Sequence, residues 1–318
     1  MRESSKNKPS GSLAGWAASL PDEGVEYDSG RRGASICRLG VGGPVRHLFT
    51  VYCEEALPSV MEECRRRGVP ARVIGEGTNL FFADDGFNGV IIRPRQRYWY
   101  RLSADRVDVS AGTNLADFIL AMAENGLGGM APLYGIPGSL GGALYGNAGA
   151  FGMSMDRLVE SARVFFPGQG ARTLSSEELA FEYRHSVLKE NGGIALSMIL
   201  CLRREETARI RDEMAAIIEQ RQGKHPGPEV KTAGSYFQNI KTLTTRREDV
   251  IPAGKLLDQI GAKTISVGGA AVFEKHANIL INRGGATAAD VLELERQLRE
   301  RVYENSGTEL RREVMYIE

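Results

Sequence analysis

Between residues 135 and 152 the chain reads GIPGSLGGALYGNAGAFG. Residues 135–149 alone hold eight glycines and alanines, set around Ile136-Pro137 and Asn147. So little side chain cannot fill a core. Backbone is kept this bare where something flat or extended lies against it, or where strands pack very closely. A second glycine turn, Gly75-Glu76-Gly77-Thr78-Asn79, follows a short predicted strand at 71–74. A strand running into G-x-G-x-N offers consecutive backbone N–H groups in a tight turn, which can cradle a pyrophosphate. A plain β-turn has much the same pattern. The turn is neither the dinucleotide fingerprint G-x-G-x-x-G nor a Walker loop, since no Gly-Lys-Ser/Thr follows.

Outward from these clusters the pattern alternates between strand and helix. Glu54 to Arg67 predicts a helix with Leu57, Val60, Met61 and Cys64 on one face. Strands are expected at 71–74, 90–93, 106–110, 158–166 and 194–202. Helices are expected at 114–125, under an asparagine or threonine cap, at 205–221, at 253–260 and from Thr287 to about Arg301. An alternating strand is expected within 268–282 and a terminal strand at 310–318. The domain reading is consecutive: a flexible N-terminal arm over 1–30, then regions 31–98, 99–203 and 204–318. Within the arm, SLAGWAASL (12–20) reads as a frayed helix rather than an export signal.

Composition narrows the function classes. The chain has 318 residues, 42% hydrophobic and 25% charged, which describes a globular soluble protein. Forty basic residues balance forty acidic ones, so net charge indicates neither a nucleic-acid partner nor an anionic membrane surface. No run approaches the roughly 18 apolar residues of a membrane span. Cys37, Cys53, Cys64 and Cys201 lack metal or disulfide spacing and read as reduced thiols of a cytoplasmic protein. No metal site is expected, since neither His276 nor His185 has a second ligand at a suitable spacing. The sequence does not fix the oligomeric state; a monomer is the expectation.

Three residues carry possible chemistry. Arg184, in Tyr183-Arg184-His185-Ser186, is always charged and needs an anionic partner if buried. Ser235 lies in AGSYFQN (233–239), with no G-x-S-x-G frame and no triad, so a hydrolase reading is weak. Glu313 lies beside Arg311 and Arg312; taken alone it reads as a solvated edge charge.

Taken in order, these elements resemble the UDP-N-acetylenolpyruvoylglucosamine reductase family. The matching elements are GGP (42–44), GEGTNLFF (75–82), the glycine-rich 135–152, YRHS (183–186), AGSYFQN (233–239), AGKLLDQIGAK (253–263), VGGAAVFEKHANILIN (267–282) and EV (313–314). They span roughly residues 35–318. The chain resembles the shorter branch of the family, which lacks an inserted tyrosine loop. The resemblance implies an α+β protein: a two-subdomain FAD-binding fold of the flavin oxidoreductase (PCMH/VAO-like) type plus a C-terminal α+β substrate domain. On that reading 31–98 and 99–203 are the FAD-binding subdomains and 204–318 binds substrate.

The resemblance further implies FAD and NADPH as cofactors, and a UDP-sugar enolpyruvyl ether reduced for peptidoglycan synthesis. It implies cofactor contacts from Gly75, Glu76, Gly77, Thr78, Asn79 and Leu80. It implies the same for Gly135, Ile136, Pro137, Gly138, Ser139, Gly141, Gly142, Asn147, Ala148 and Gly149. Arg184, Ser235 and Glu313 would be catalytic: Arg184 polarising the carboxylate, Ser235 donating a proton to carbon. Tyr183, Gln238, Asn239, His276 and Asn278 would contact substrate. The chain departs from the family at Gln238, usually lysine, at Ile240, usually proline, at Gly146, where a larger residue is common, and around Cys37 to Gly40. A paralogue acting on another enolpyruvyl nucleotide, an FAD oxidase of the same fold and a catalytically silent nucleotide binder are the competing readings.

Overall fold

The structure, a computed structural model, describes residues 12–17, 24–241 and 250–318. Its chain forms two compact units that interleave in sequence. One gathers residues up to 29 with 46–75 and 88–210; the other gathers 30–45, 76–87 and 211–318.

The first unit is built on two sheets. A four-stranded sheet runs in the order Val25–Arg32, Pro44–Val51, Phe87–Pro94, Ala71–Val73. Ala71–Val73 lies parallel to Phe87–Pro94, with Ala71 opposite Val90. The helix Ala56–Arg67 buries Leu57, Val60 and Cys64 in one cluster with Phe49, Val51, Val90 and Ile92. Each such fully buried side chain contributes about 1.5–3 kcal/mol. Gly68, left-handed at φ 66°, ends the helix and returns its N–H to Arg65 and Cys64. The second sheet is antiparallel, in the order Gly170–Ser175, Val159–Phe166, Ile194–Cys201, Arg106–Ser110, Trp99–Arg101. Asn114 caps the helix Leu115–Glu124, accepting from the N–H groups of Ala116 and Asp117.

The second unit holds an antiparallel sheet in the order Lys231–Ser235, His276–Asn282, Ala270–Phe273, Ser266–Val267. The alternating run expected within 268–282 is therefore a hairpin, turned where the polar Glu274-Lys275 interrupts the pattern. The helix Ala288–Ser306 starts from a capping box between Thr287 and Asp290. Asp84 accepts from the N–H groups of Ala288 and Ala289. The terminal strand, Met315–Ile317, pairs in parallel with Leu80–Phe82.

Two expectations change. The arm expected over 1–30 is partly ordered structure: Leu13 is buried, Trp16 packs on Phe49 with ring centroids 6.0 Å apart, and Val25–Arg32 joins the first sheet. Its residues 1–11 and 18–23 lie outside the described residues, as does most of the polar stretch after 240. The consecutive boundaries at 31, 99 and 204 also give way to interleaving. The reason is pairing across long sequence distance, such as that of Leu80–Phe82 with Met315–Ile317.

Candidate active site

In the first unit, the glycine-rich segment is sewn to the turn after Arg106–Ser110. Leu115 donates to Gly138, Leu140 to Thr113 and Gly141 to Ala111, through N–H···O bonds of 2.8–2.9 Å. Ser139 is buried, and its hydroxyl accepts from the Gly142 N–H as the cap of Leu140–Tyr145. The glycines have different reasons. A Cβ on Gly75 would strike the Ser139 hydroxyl, and one on Gly141 would stand 2.9 Å from the Ala111 Cβ. Those two are small because protein packs there. A Cβ on Gly142 or Gly146 would meet only atoms of its own turn, at 3.5 and 3.6 Å. That face of the backbone stays open.

Downstream, the same segment grips the turn that carries Arg184. Ser186 donates its hydroxyl to the Tyr145 carbonyl at 2.8 Å. Asn147, 4% exposed, donates to the Glu182 carbonyl at 2.9 Å and accepts from the Asp156 N–H at 3.0 Å. Arg184 Nη2 donates to the Gly149 carbonyl at 2.9 Å, and its guanidinium lies 5.2 Å from the Tyr183 ring centroid. Arg184 is therefore half-buried and held, while Tyr183 stands exposed.

In the second unit, Gly77 is left-handed at φ 69° and packs so close to the Ile36 carbonyl that no Cβ fits. Its own carbonyl accepts from the Arg38 N–H at 2.8 Å. Asn79 is exposed, and its carbonyl accepts from the Met315 N–H at 3.0 Å. Leu80 is 3% exposed within its strand, so only its main chain is available to a ligand.

Ser235 ends the strand Lys231–Ser235, whose register slips between Thr232 and Ser235. Gly234 makes the slip possible with φ 78°, and a bulge of this kind re-aims the next side chain. Ser235 is exposed, while Ala233 before it and Tyr236 and Phe237 after it are buried. The loop is tied to the C-terminal segment: Glu313 donates its N–H to the Tyr236 carbonyl, and Gln238 its N–H to the Arg311 carbonyl, both at 2.8 Å. Glu313 is thus itself a partner in one of these backbone bonds, and Ser235 immediately precedes the other partner, Tyr236.

Some expected contacts are used inside the protein. Asn278 is 3% exposed; its amide accepts from the Phe237 N–H and donates to the Phe237 carbonyl. That geometry makes it a clamp on the serine loop. Asn239 accepts from the Ala253 N–H at 3.1 Å. His276 pairs with a residue the sequence reading passed over, His225, with ring centroids 5.6 Å apart. Burial pushes both imidazoles below their usual pKa, His225 further through Arg221. His276 Nδ1 faces the Asn278 N–H at 3.2 Å, the arrangement of a neutral ring with Nδ1 as acceptor.

Glu295 also escaped the sequence reading. Its carboxylate accepts from the Tyr236 hydroxyl at 2.9 Å and lies 3.4 Å from both Arg299 and Arg312. Burial and this carboxylate push the Tyr236 phenol far up. The available signal was a carboxylate on the buried stripe Val291, Leu294, Leu298. Among the described residues there is no cluster of ligands able to hold a metal, and no helix long and apolar enough to cross a membrane.

Against known proteins, residues 45–173 match the model of an FAD binding domain. Residues 225–317 match the C-terminal domain of UDP-N-acetylenolpyruvoylglucosamine reductase. A reductase of that name from Clostridium perfringens (strain SM101 / Type A) is 36% identical over 277 residues, 87% of this chain and 88% of its own length. One from Heliobacterium modesticaldum is 37% identical over 87% of this chain and 86% of its own. The crystal structure of the Thermus caldophilus UDP-N-acetylenolpyruvylglucosamine reductase superposes with a TM-score of 0.75 at 33% identity, covering 92% of this chain and 99% of that one.

Proposed function

This chain belongs to the UDP-N-acetylenolpyruvoylglucosamine reductase family, and on that premise we propose that it reduces the enolpyruvyl group of UDP-N-acetylenolpyruvoylglucosamine to give UDP-N-acetylmuramate. The observation that supports the reading is the backbone bond between Glu313 and Tyr236, which ties Glu313 to the segment that presents the exposed Ser235. FAD, when bound, supplies the hydride, taken in turn from NADPH.

The residues present fit a flavin nucleotide. The open backbone face at Gly142 and Gly146 leaves room for a flat ring. The Gly75–Asn79 turn and the 135–149 segment would hold it through main-chain groups, as N–H groups in tight turns hold phosphate oxygens.

The rest of the chemistry belongs to the chain. Hydride arriving at C3 of an α,β-unsaturated carboxylate drives an electron pair onto C2 and the carboxylate oxygens. Arg184, held by the Gly149 carbonyl and the Tyr183 ring, would stabilise charge where it develops. Ser235 would give its proton to C2. An alcohol is a weak acid in water, but the acceptor here is a carbanion-like centre of high basicity. Glu313 would orient these groups or carry a proton itself. Tyr183, Gln238, Asn239 and His276 remain the proposed substrate contacts, and the reaction is assigned to the cytoplasm.

Anaerobic reoxidation tests the reading. The NADPH-reduced, flavin-loaded protein should be reoxidised by the enolpyruvyl nucleotide, with UDP-N-acetylmuramate as product. A flavin that stays reduced in the presence of that nucleotide but is reoxidised by oxygen would overturn the substrate and favour an oxidase.

A further inference from the structure

Four non-glycine residues among those described have left-handed backbone: Asn147 (φ 41°), Phe151 (φ 48°), Ala180 (φ 45°) and Arg184 (φ 57°). Such conformations cost free energy and persist where the surroundings over-determine them. All four fall in two stretches, 147–151 and 180–184, and these two stretches touch.

The contact is specific. Glu182 and His185 exchange both backbone bonds at 3.1 Å, so Tyr183 and Arg184 are the central pair of a tight turn. The second central position of a turn with left-handed backbone ordinarily takes glycine. Here it takes an arginine. The neighbouring segment holds that turn at three points: Tyr145 receives Ser186, Asn147 binds Glu182, and Gly149 receives the guanidinium. Asn147 is the middle point and the only one that works by a side chain from that segment. Its other amide atom is anchored to the Asp156 N–H, so it cannot swing away without breaking two bonds.

We propose that Asn147 is a positioning residue for Arg184, fixing the strained turn so that the guanidinium meets the reacting carboxylate already in place. This deepens the reductase reading and rests on it for the identity of the carboxylate. It also moves the Asn147 side chain from cofactor contact to a role within the protein.

The variant Asn147→Asp isolates the effect. Aspartate tolerates left-handed backbone and keeps an acceptor for the Asp156 N–H, but sets a carboxylate oxygen against the Glu182 carbonyl. In the purified, flavin-loaded protein we expect reoxidation by the enolpyruvyl nucleotide to fall by about 10²-fold, the scale of a small misplacement of a reacting group. Reduction by NADPH should fall at least tenfold less than that, roughly, and flavin content should be retained. In an Arg184→Ala background the same change should add no further loss, because the two residues act as a unit. A readout independent of turnover is tryptic cleavage after Arg184, followed by fragment mass; a loosened turn should be cut faster in Asn147→Asp. Loss of flavin, equal slowing of both half-reactions, additive loss on Arg184→Ala, or unaltered cleavage would each overturn the positioning role. If the wild-type flavin is not reoxidised by the nucleotide, the reductase reading fails, and the cleavage rates still decide whether Asn147 positions Arg184.

Discussion

At the scale of the residue, Ser235 is the side chain on which most depends. Its hydroxyl is exposed at a bulge whose glycine has no Cβ to strain, and its neighbours are anchored in the core. Ser235→Ala should leave the fold and the NADPH step nearly intact, since no hydrogen bond of the core is removed. Reoxidation by the enolpyruvyl nucleotide should slow by about 10²–10⁴-fold, the usual contribution of a positioned proton donor. Stopped-flow traces of the two half-reactions measure both; equal loss in each would assign the serine to structure. Glu295 makes the opposite case. Removing it by Glu295→Leu leaves the Tyr236 hydroxyl and the Arg312 charge without their shared carboxylate, at a cost of about 3 kcal/mol. The triple change Tyr236→Phe, Glu295→Leu, Arg312→Leu should recover most of that, since an apolar cluster needs no ion pair. Urea unfolding of the two variants compares them directly. Ser235, Arg184 and Glu313 were accessible as candidates from sequence motifs. The support was not: nothing near Asn278 in sequence says that its amide closes on Phe237, 41 residues away.

At the scale of the element, legibility follows how local the cause is. The helix Leu115–Glu124 was readable because its cap, Asn114, and its apolar spacing lie in the same stretch. The hairpin Ala270–Phe273 with His276–Asn282 was read as one run because both strands are apolar and only two polar residues part them. The strand His276–Asn282 also carries half of the histidine pair, whose other half follows the helix Thr207–Gln222. Around these rings Arg221, Lys224 and Lys263 disfavour a proton, and Asp258 favours one at His276. Both folded pKa values lie below the ordinary 6.5, so the unfolded chain binds more protons in the window just below it. Stability contributed by the neutral pair is then complete above about pH 7 and declines as pH falls through the unfolded value. The double variant His225→Asn, His276→Gln should therefore lose less stability between pH 7 and 5 than the parent. Identical slopes of unfolding free energy against pH would remove the pair as the cause.

At the scale of the whole molecule, interleaving decides what can fold alone. Residues 204–318 read in sequence as a self-contained C-terminal domain, but the second compact unit reaches back for 30–45 and 76–87. Without those segments the strand Met315–Ile317 loses its pairing with Leu80–Phe82. The buried amide of Asn282 loses the Leu39 and Gly40 carbonyls it donates to, both at 3.1 Å. The helix Ala288–Ser306 loses Asp84 from two of its first N–H groups. Each loss of this kind costs roughly 1–3 kcal/mol, against a total stability of about 5–15 kcal/mol for a typical domain. A fragment of residues 204–318 should therefore show helix by circular dichroism yet no cooperative urea transition. Adding a peptide spanning residues 30–87 in trans should restore part of that transition, since it supplies every one of those partners. A sharp two-state transition in the fragment alone would mean that the four-stranded sheet and the helices of residues 204–318 suffice, and that the consecutive division of the chain describes its folding better than the interleaved one.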